Sequence, residues 1–123
     1  LDRNSSPLLS AIIVAHCDSP NLRMALEFQR EQTVSQRMEL IVVTASGERL
    51  NLRQEELEGF WGIKIVETGS NRDAGLVKAA GVAAATAPLV AFIEDHSFPA
   101  PDCAQAFINA HYTGNSPSRV RSC

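Results

Sequence analysis

Four short apolar runs rich in β-branched residues punctuate the chain: LLSAIIVA (8–15), ELIVVT (39–44), IKIVE (63–67) and LVAFI (89–93). Each is too short to cross a membrane. Continuous rather than alternating apolar character fits strands covered on both faces. The stretches between them carry helical signals. Asp18-Ser19-Pro20 supplies a cap and a first-turn proline ahead of LRMALEFQRE, in which Leu22, Ala25 and Leu26 share one face. Asn51 opens a short charged helix that runs through Glu58 and stops at Gly59. Residues 68–71 read as a turn, and Ser70 with Asp73 as a variant capping box. An alanine-rich helix then spans Asp73 to Ala85, with Leu76, Ala80, Ala83 and Ala84 as a small-residue stripe for packing on a sheet. Gly75 and Gly81 each weaken such a helix by about 1 kcal/mol relative to alanine, a loss that close backbone contacts would explain. Pro101 opens a last helix, DCAQAFINAHY, and the tail GNSPSRVRSC is expected to fray.

Strand alternating with helix predicts an α/β fold: a doubly wound, mainly parallel sheet of about four strands with flanking helices, a Rossmann-like half. The expected organisation is one domain over residues 1–112 and a polar tail over 113–123. With 45% hydrophobic and 20% charged residues, the 123-residue chain reads as globular rather than disordered. Its net charge of −3 argues against nucleic acid as a partner. The absence of a spanning run or a signal-peptide pattern leads to the expectation of a cytoplasmic protein. Leu1 rather than Met at the start suggests a piece of something longer. Cysteines fall at 17, 103 and 123 without a CxxC pair, which points to reduced thiols.

Ligands of doubly wound sheets bind outside the carboxyl ends of the strands. The first strand ends there in Ala15-His16-Cys17-Asp18, the second in Thr44-Ala45-Ser46 and the fourth in Glu94-Asp95-His96. Two adjacent carboxylates and an imidazole are costly to hold together unless a cation neutralises them. Carboxylate oxygens suit Mg²⁺ or Mn²⁺, and an imidazole tilts the choice toward Mn²⁺. Asp95 and His96 are therefore the candidate metal ligands, against the plainer reading of a solvated acidic loop. Asp18 doubles as a helix cap, and Cys17 has no strongly basic neighbour to activate it as a nucleophile. Phe60 and Trp61 read as an edge of the core, His111 as a surface residue, and Arg72 as a cation seeking an anionic partner at a helix start.

Four segments together resemble the N-terminal half of family-2-type glycosyltransferases of the GT-A fold, enzymes that use nucleotide-diphosphate sugars. LSAIIVAHCDSPNLRMALEFQREQ is similar to their first strand and helix, with Gln32 at the position of a Gln near that helix's end. MELIVVTASGE resembles their second strand, and GLVKAAGVAAATAPLVAFIEDHSFPAPD their helix, strand and acidic metal motif in unbroken order. The resemblance covers about residues 8–112. It implies a nucleotide-diphosphate sugar as donor, with Ala15, His16, Asp18, Thr44, Lys78, Glu94 and Asp95 around it. Asp95 and His96 would hold Mn²⁺ or Mg²⁺, and Lys78 would face the diphosphate. It also implies transfer, of the inverting type, to a glycan, lipid or small-molecule acceptor, at the cytoplasmic face of a membrane if segments outside this chain anchor it.

This sequence departs from the family pattern in several places, among them Ala15-His16-Cys17 in place of the usual first loop and His96 in place of the metal motif's final Asp. Thr44-Ala45 stands where an Asp pair commonly holds the base, and Ala79 stands where an Asn is frequent. No residue of the tail offers a catalytic base, so the base is expected beyond this chain. A non-catalytic nucleotide-binding or assembly domain of the same fold is the alternative, and a half-fold with uncovered apolar surface favours a homo-oligomer. A receiver-like phosphoacceptor domain ranks low. It would need an acidic pair after the first strand, an Asp after the third and a late-strand Lys, and the chain has only Asp18 and Glu67-Thr68-Gly69 at those strand ends.

Overall fold

A computed structural model describes residues 6–15, 20–45, 53–69, 73–93 and 101–112. Its elements alternate as the sequence predicts: β1 (Leu9–Ala15), α1 (Pro20–Arg30), a 3-10 turn (Ser35–Arg37), β2 (Met38–Thr44), α2 (Gln54–Leu57), β3 (Gly62–Glu67), α3 (Ala74–Ala84), β4 (Val90–Ile93) and α4 (Cys103–Tyr112). The four strands form one sheet in the order β3-β2-β1-β4. All three pairings are parallel, with Ala11 beside Leu40 and Ala91, and Val42 beside Ile65. The predicted α/β parallel sheet is therefore what forms.

Alternation of side chains across the pleat divides the core in two. One face carries Leu9, Ala11, Ile13 and Ala15 of β1 with Met38, Leu40 and Val42 of β2, and it packs against Leu22 and Leu26 of α1 and Ala104 and Ile108 of α4. The opposite face carries Ile12, Ile41 and Val43 with Val77 of α3, and Val14, Val66, Val90 and Phe92 lie partly buried around them. Central β1 and β2 are buried along almost their whole length, which explains their unbroken apolar runs. Edge strand β3 is more open, and Ile65 remains exposed.

α3 meets the sheet through only part of the predicted stripe: Ala84 packs against the Ile12 cluster and Ala80 is half-buried, but Leu76 and Ala83 face outward. Val77 and Gly81 are buried, whereas Leu76 is 58% exposed and Ala83 is also exposed. Spacing alone allowed either phase of an alanine-rich helix. The contact surface decided it, because a Cβ on Gly81 would stand 2.8 Å from Ile12 Cγ2 and 3.1 Å from Val43 Cγ2. Close backbone contact thus accounts for Gly81, but not for Gly75, which is exposed on the first turn. Asp73 is itself the N-cap, and its carboxylate accepts from the backbone N–H groups of Gly75 and Leu76. Ser70, its expected partner in a capping box, lies outside the described residues. The helix predicted from Asn51 is shorter, at Gln54–Leu57, and Gly59 follows it with the left-handed φ of 93° that favours glycine at a helix end.

The amino edge of the sheet is closed by a buried polar knot. Glu39 at the start of β2 is fully buried. Its carboxylate accepts from Ser10 Oγ at 2.8 Å, from the Thr86 N–H at 2.9 Å and from Thr86 Oγ1 at 3.0 Å. Lys64 Nζ of β3 lies 3.1 Å away and also donates to the Ala84 carbonyl at the end of α3. Ser10 Oγ in turn accepts from the Ala87 N–H. Burial pushes the Glu39 carboxyl upward, but the bonds from Thr86, Ser10 and Lys64 outweigh it and hold the carboxyl below its ordinary range. One side chain thereby joins β1, β2, β3 and the α3–β4 connection.

Candidate functional site at the carboxyl edge of the sheet

The opposite edge is built differently. Ala15, Thr44 and Glu67 stand side by side in register as the last residues of β1, β2 and β3, and β4 ends at Ile93 beside Ile13. Ala15 and Thr44 are 1% and 3% exposed, so they form the floor of this edge rather than its exposed surface. Glu67 is exposed, and the Thr68 N–H donates to the Thr44 carbonyl at 2.9 Å, carrying the chain away from β3. Asp73 sits exposed at the start of α3, where its carboxylate is occupied as a cap.

The remaining candidates separate into two groups. His16, Asp18, Glu94, Asp95 and His96 lie outside the described residues. Among the described residues there is no group of three His, Cys, Asp or Glu side chains that could hold a metal ion. Asp95 and His96, the metal ligands expected from the sequence, are among the residues to which that statement does not extend. Lys78 is described. It projects from the middle of α3, exposed, with Nζ 5.6 Å from the centroid of the Phe92 ring, one residue before β4 ends.

Two contacts pin the chain on either side of residues 94–100. Before them, β4 is held by its pairing with β1. After them, the Pro101 carbonyl accepts from the Thr33 N–H at 2.9 Å, and Gln32 Oε1 accepts from the Ala104 N–H at 2.9 Å at the first turn of α4. Gln32 is buried, and its Nε2 donates to the Phe28 carbonyl. The glutamine singled out by resemblance thus fastens the end of α1 to the start of α4 and fixes where the chain returns.

Cys103 is disulfide-bonded, which corrects the expectation of reduced thiols. The other two cysteines, Cys17 and Cys123, lie outside the described residues. An odd cysteine count with no short spacing could not reveal a bond set by how the chain folds back. A cleft of about 230 Å³ is lined by Arg23, Leu26, Glu27 and Arg30 of α1 and by Arg53, just before α2. Arg30 donates to the Glu55 carbonyl and Arg53 pairs with the Glu55 carboxylate at 3.8 Å, so charge there is met from within the protein. Sequence reasoning did not foresee the Phe92–Lys78 contact. The available signal was the pleat, which puts Phe92 on the same face as Ile12 and hence under α3.

The glycosyl transferase family 2 model matches residues 10–118, most of the chain. No curated protein matches it. Among solved structures, TarS of S. aureus superposes with a TM-score of 0.70 at 17% identity, covering 85% of this chain and 20% of that one. The mannosyltransferase PcManGT from Pyrobaculum calidifontis, solved in complex with GDP-Man and Mn²⁺, superposes with a TM-score of 0.70 at 20% identity, covering 94% of this chain and 34% of that one. At these identities the two structures establish a shared fold. The chain spans about a fifth to a third of their lengths.

Proposed function

The chain belongs to glycosyl transferase family 2, and from that premise we propose that it forms the donor-binding half of a glycosyltransferase. It would bind a nucleotide-diphosphate sugar at the carboxyl edge of the sheet for inverting transfer to the hydroxyl of a glycan, lipid or small-molecule acceptor. The observation that carries this reading is the convergence, on one edge of a parallel sheet, of the ends of β1, β2 and β4. Each continues into a polar segment, while the other edge is closed by the Glu39 knot.

Ala15 and Thr44 provide the floor under the nucleoside, and His16, Asp18 and Glu94 surround it. Lys78 supplies a positive charge for the diphosphate. Asp95 and His96 would hold Mn²⁺ or Mg²⁺, and the donor set of one carboxylate and one imidazole suits the former. When bound, that ion supplies Lewis-acid stabilisation of the departing nucleoside diphosphate. The binding of GDP-Man and Mn²⁺ by a protein of the same fold supports the choice of donor class. The acceptor site and the base that deprotonates the acceptor would come from outside this chain. Among the described residues no helix is long and apolar enough to cross a membrane, and work at the cytoplasmic face is part of the proposal.

Calorimetry with UDP- and GDP-sugars, with and without Mn²⁺, tests the reading. We expect binding of at least one donor that needs Mn²⁺ and that falls at least tenfold when Asp95→Ala and His96→Ala are combined. Binding that ignores both the ion and the double substitution would sink the metal-dependent site. It would favour instead the second reading, a nucleotide-binding or assembly domain without turnover, for which Ala45 in place of an Asp is the supporting residue.

A further inference from the structure

We infer that Phe92 is a positioning residue for the donor's diphosphate: its ring face holds the Lys78 ammonium beside the end of β4, leaving the other side of that ammonium open to the anion. The inference rests on the donor-site reading above and adds to it a residue that touches neither sugar nor metal. Lysine carries four rotatable bonds and loses much of their freedom when it grips a ligand. A cation held in advance over an aromatic face has already given up part of that freedom, so less is lost when phosphate arrives.

Three features of the structure make the contact a platform rather than a chance approach. Phe92 is in register with Ile12 of the central strand and packs against the cluster of Ile12, Ile41, Val43 and Val77, so the sheet holds its ring. Val77, the neighbour of Lys78 on α3, is buried in that same cluster, which fixes the root of the lysine relative to the ring. The Lys78 side chain is itself exposed, so the half of the ammonium that turns away from the ring faces solvent. The position along β4 matters too. Asp95 follows Phe92 by three residues, at most about 11 Å of backbone. A charge resting on Phe92 therefore lies close to the segment proposed to hold the metal, at the strand end where the diphosphate would sit.

The test uses the 123-residue chain with GDP and UDP as probes in the presence of Mn²⁺. Phe92→Leu keeps an apolar side chain but removes the ring, and Phe92→Tyr keeps the ring. We expect Phe92→Leu to weaken nucleotide binding about two- to fivefold, Phe92→Tyr to retain it, and Phe92→Leu to have no further effect once Lys78→Met is in place. In parallel, the Lys78 ε-methylene protons should show an upfield ring-current shift by NMR that Phe92→Leu abolishes and Phe92→Tyr keeps. A purely structural role for Phe92 would give the same loss with or without Lys78, and that result would overturn the proposal, as would an unshifted lysine in the wild type. Failure of the wild type to bind either nucleotide would defeat the donor-site reading and this inference together. Nucleotide binding without coupling between Phe92 and Lys78 would defeat this inference alone.

Discussion

The two edges of this sheet are built on opposite principles. At the amino edge a carboxylate, an ammonium, two hydroxyls and two backbone N–H groups are gathered around Glu39, and the carboxylate is fully buried. At the carboxyl edge the described strand ends offer a covered floor of Ala15 and Thr44, an exposed Glu67 and the Lys78–Phe92 contact. Buried polar groups stabilise a fold only when all their partners are present. An edge proposed to receive a charged ligand needs the reverse, with partners left for the ligand to supply. The contrast predicts that substitutions at the amino edge change stability, and that those at the carboxyl edge change binding.

The strongest challenge to this contrast is Glu39→Leu. It leaves the Thr86 N–H and the Ser10 hydroxyl without their acceptor and Lys64 with the Ala84 carbonyl and solvent, and we expect a loss of about 3 kcal/mol in urea unfolding. A loss under 1 kcal/mol would mean that the knot is not what closes that edge. The same carboxylate should govern acid stability. Its folded-state pKa lies below the ordinary value of 4.5, so its contribution is complete above that value and is lost as pH falls through the lower, folded value. The urea midpoint should therefore hold from neutral pH down to about 5 and then drop, with a shallower drop in Glu39→Gln.

Next in size is Gly81→Ala, where α3 approaches the sheet between the two edges. The new methyl meets Ile12 and Val43, and the strain exceeds the gain in helix propensity, for a net loss of about 1–2 kcal/mol by thermal unfolding. Asp73→Ala removes the cap of α3 and should cost about 1 kcal/mol. Smallest of all should be the stability effect of Asp95→Ala, within about 0.5 kcal/mol, as expected of a carboxylate that serves a ligand and not the fold. A large loss of stability there would place Asp95 in the fold rather than in a binding site. Self-association, expected from the sequence, is kept as a proposal, and Leu76 and Val82 of α3 and Ile65 of β3 are exposed apolar residues that it would cover. Sedimentation showing a monomer across concentrations would remove that proposal.

Much of this was legible in the residues. The apolar runs marked all four strands, and their separation by helical spacing implied parallel pairing, because period and run length are local properties that survive whatever packs above them. The polar residues that follow β1 and β4 could be assigned to one edge for the same reason, since parallel strands end together. The segment from Gly75 to Asp102 carried enough family pattern to anticipate the match over residues 10–118.

Other features depend on which surfaces meet. The phase of α3 was settled by the contact of Gly81 with Ile12, which no helical period in an alanine-rich run could select. In the sequence Glu39 is simply the first residue of the run ELIVVT, with no feature that marks it out. Its role as a hub appears only when Ser10, Lys64 and Thr86, at most 47 positions away, are brought around it. The Cys103 disulfide and the resting place of Lys78 over Phe92 are likewise properties of proximity between distant segments. Local chemistry determined the elements and their order, and it carried the proposal of which edge receives a ligand. Tertiary packing decided which buried charges are satisfied and where the one cation proposed for the diphosphate comes to rest, because both depend on distances that sequence spacing does not encode.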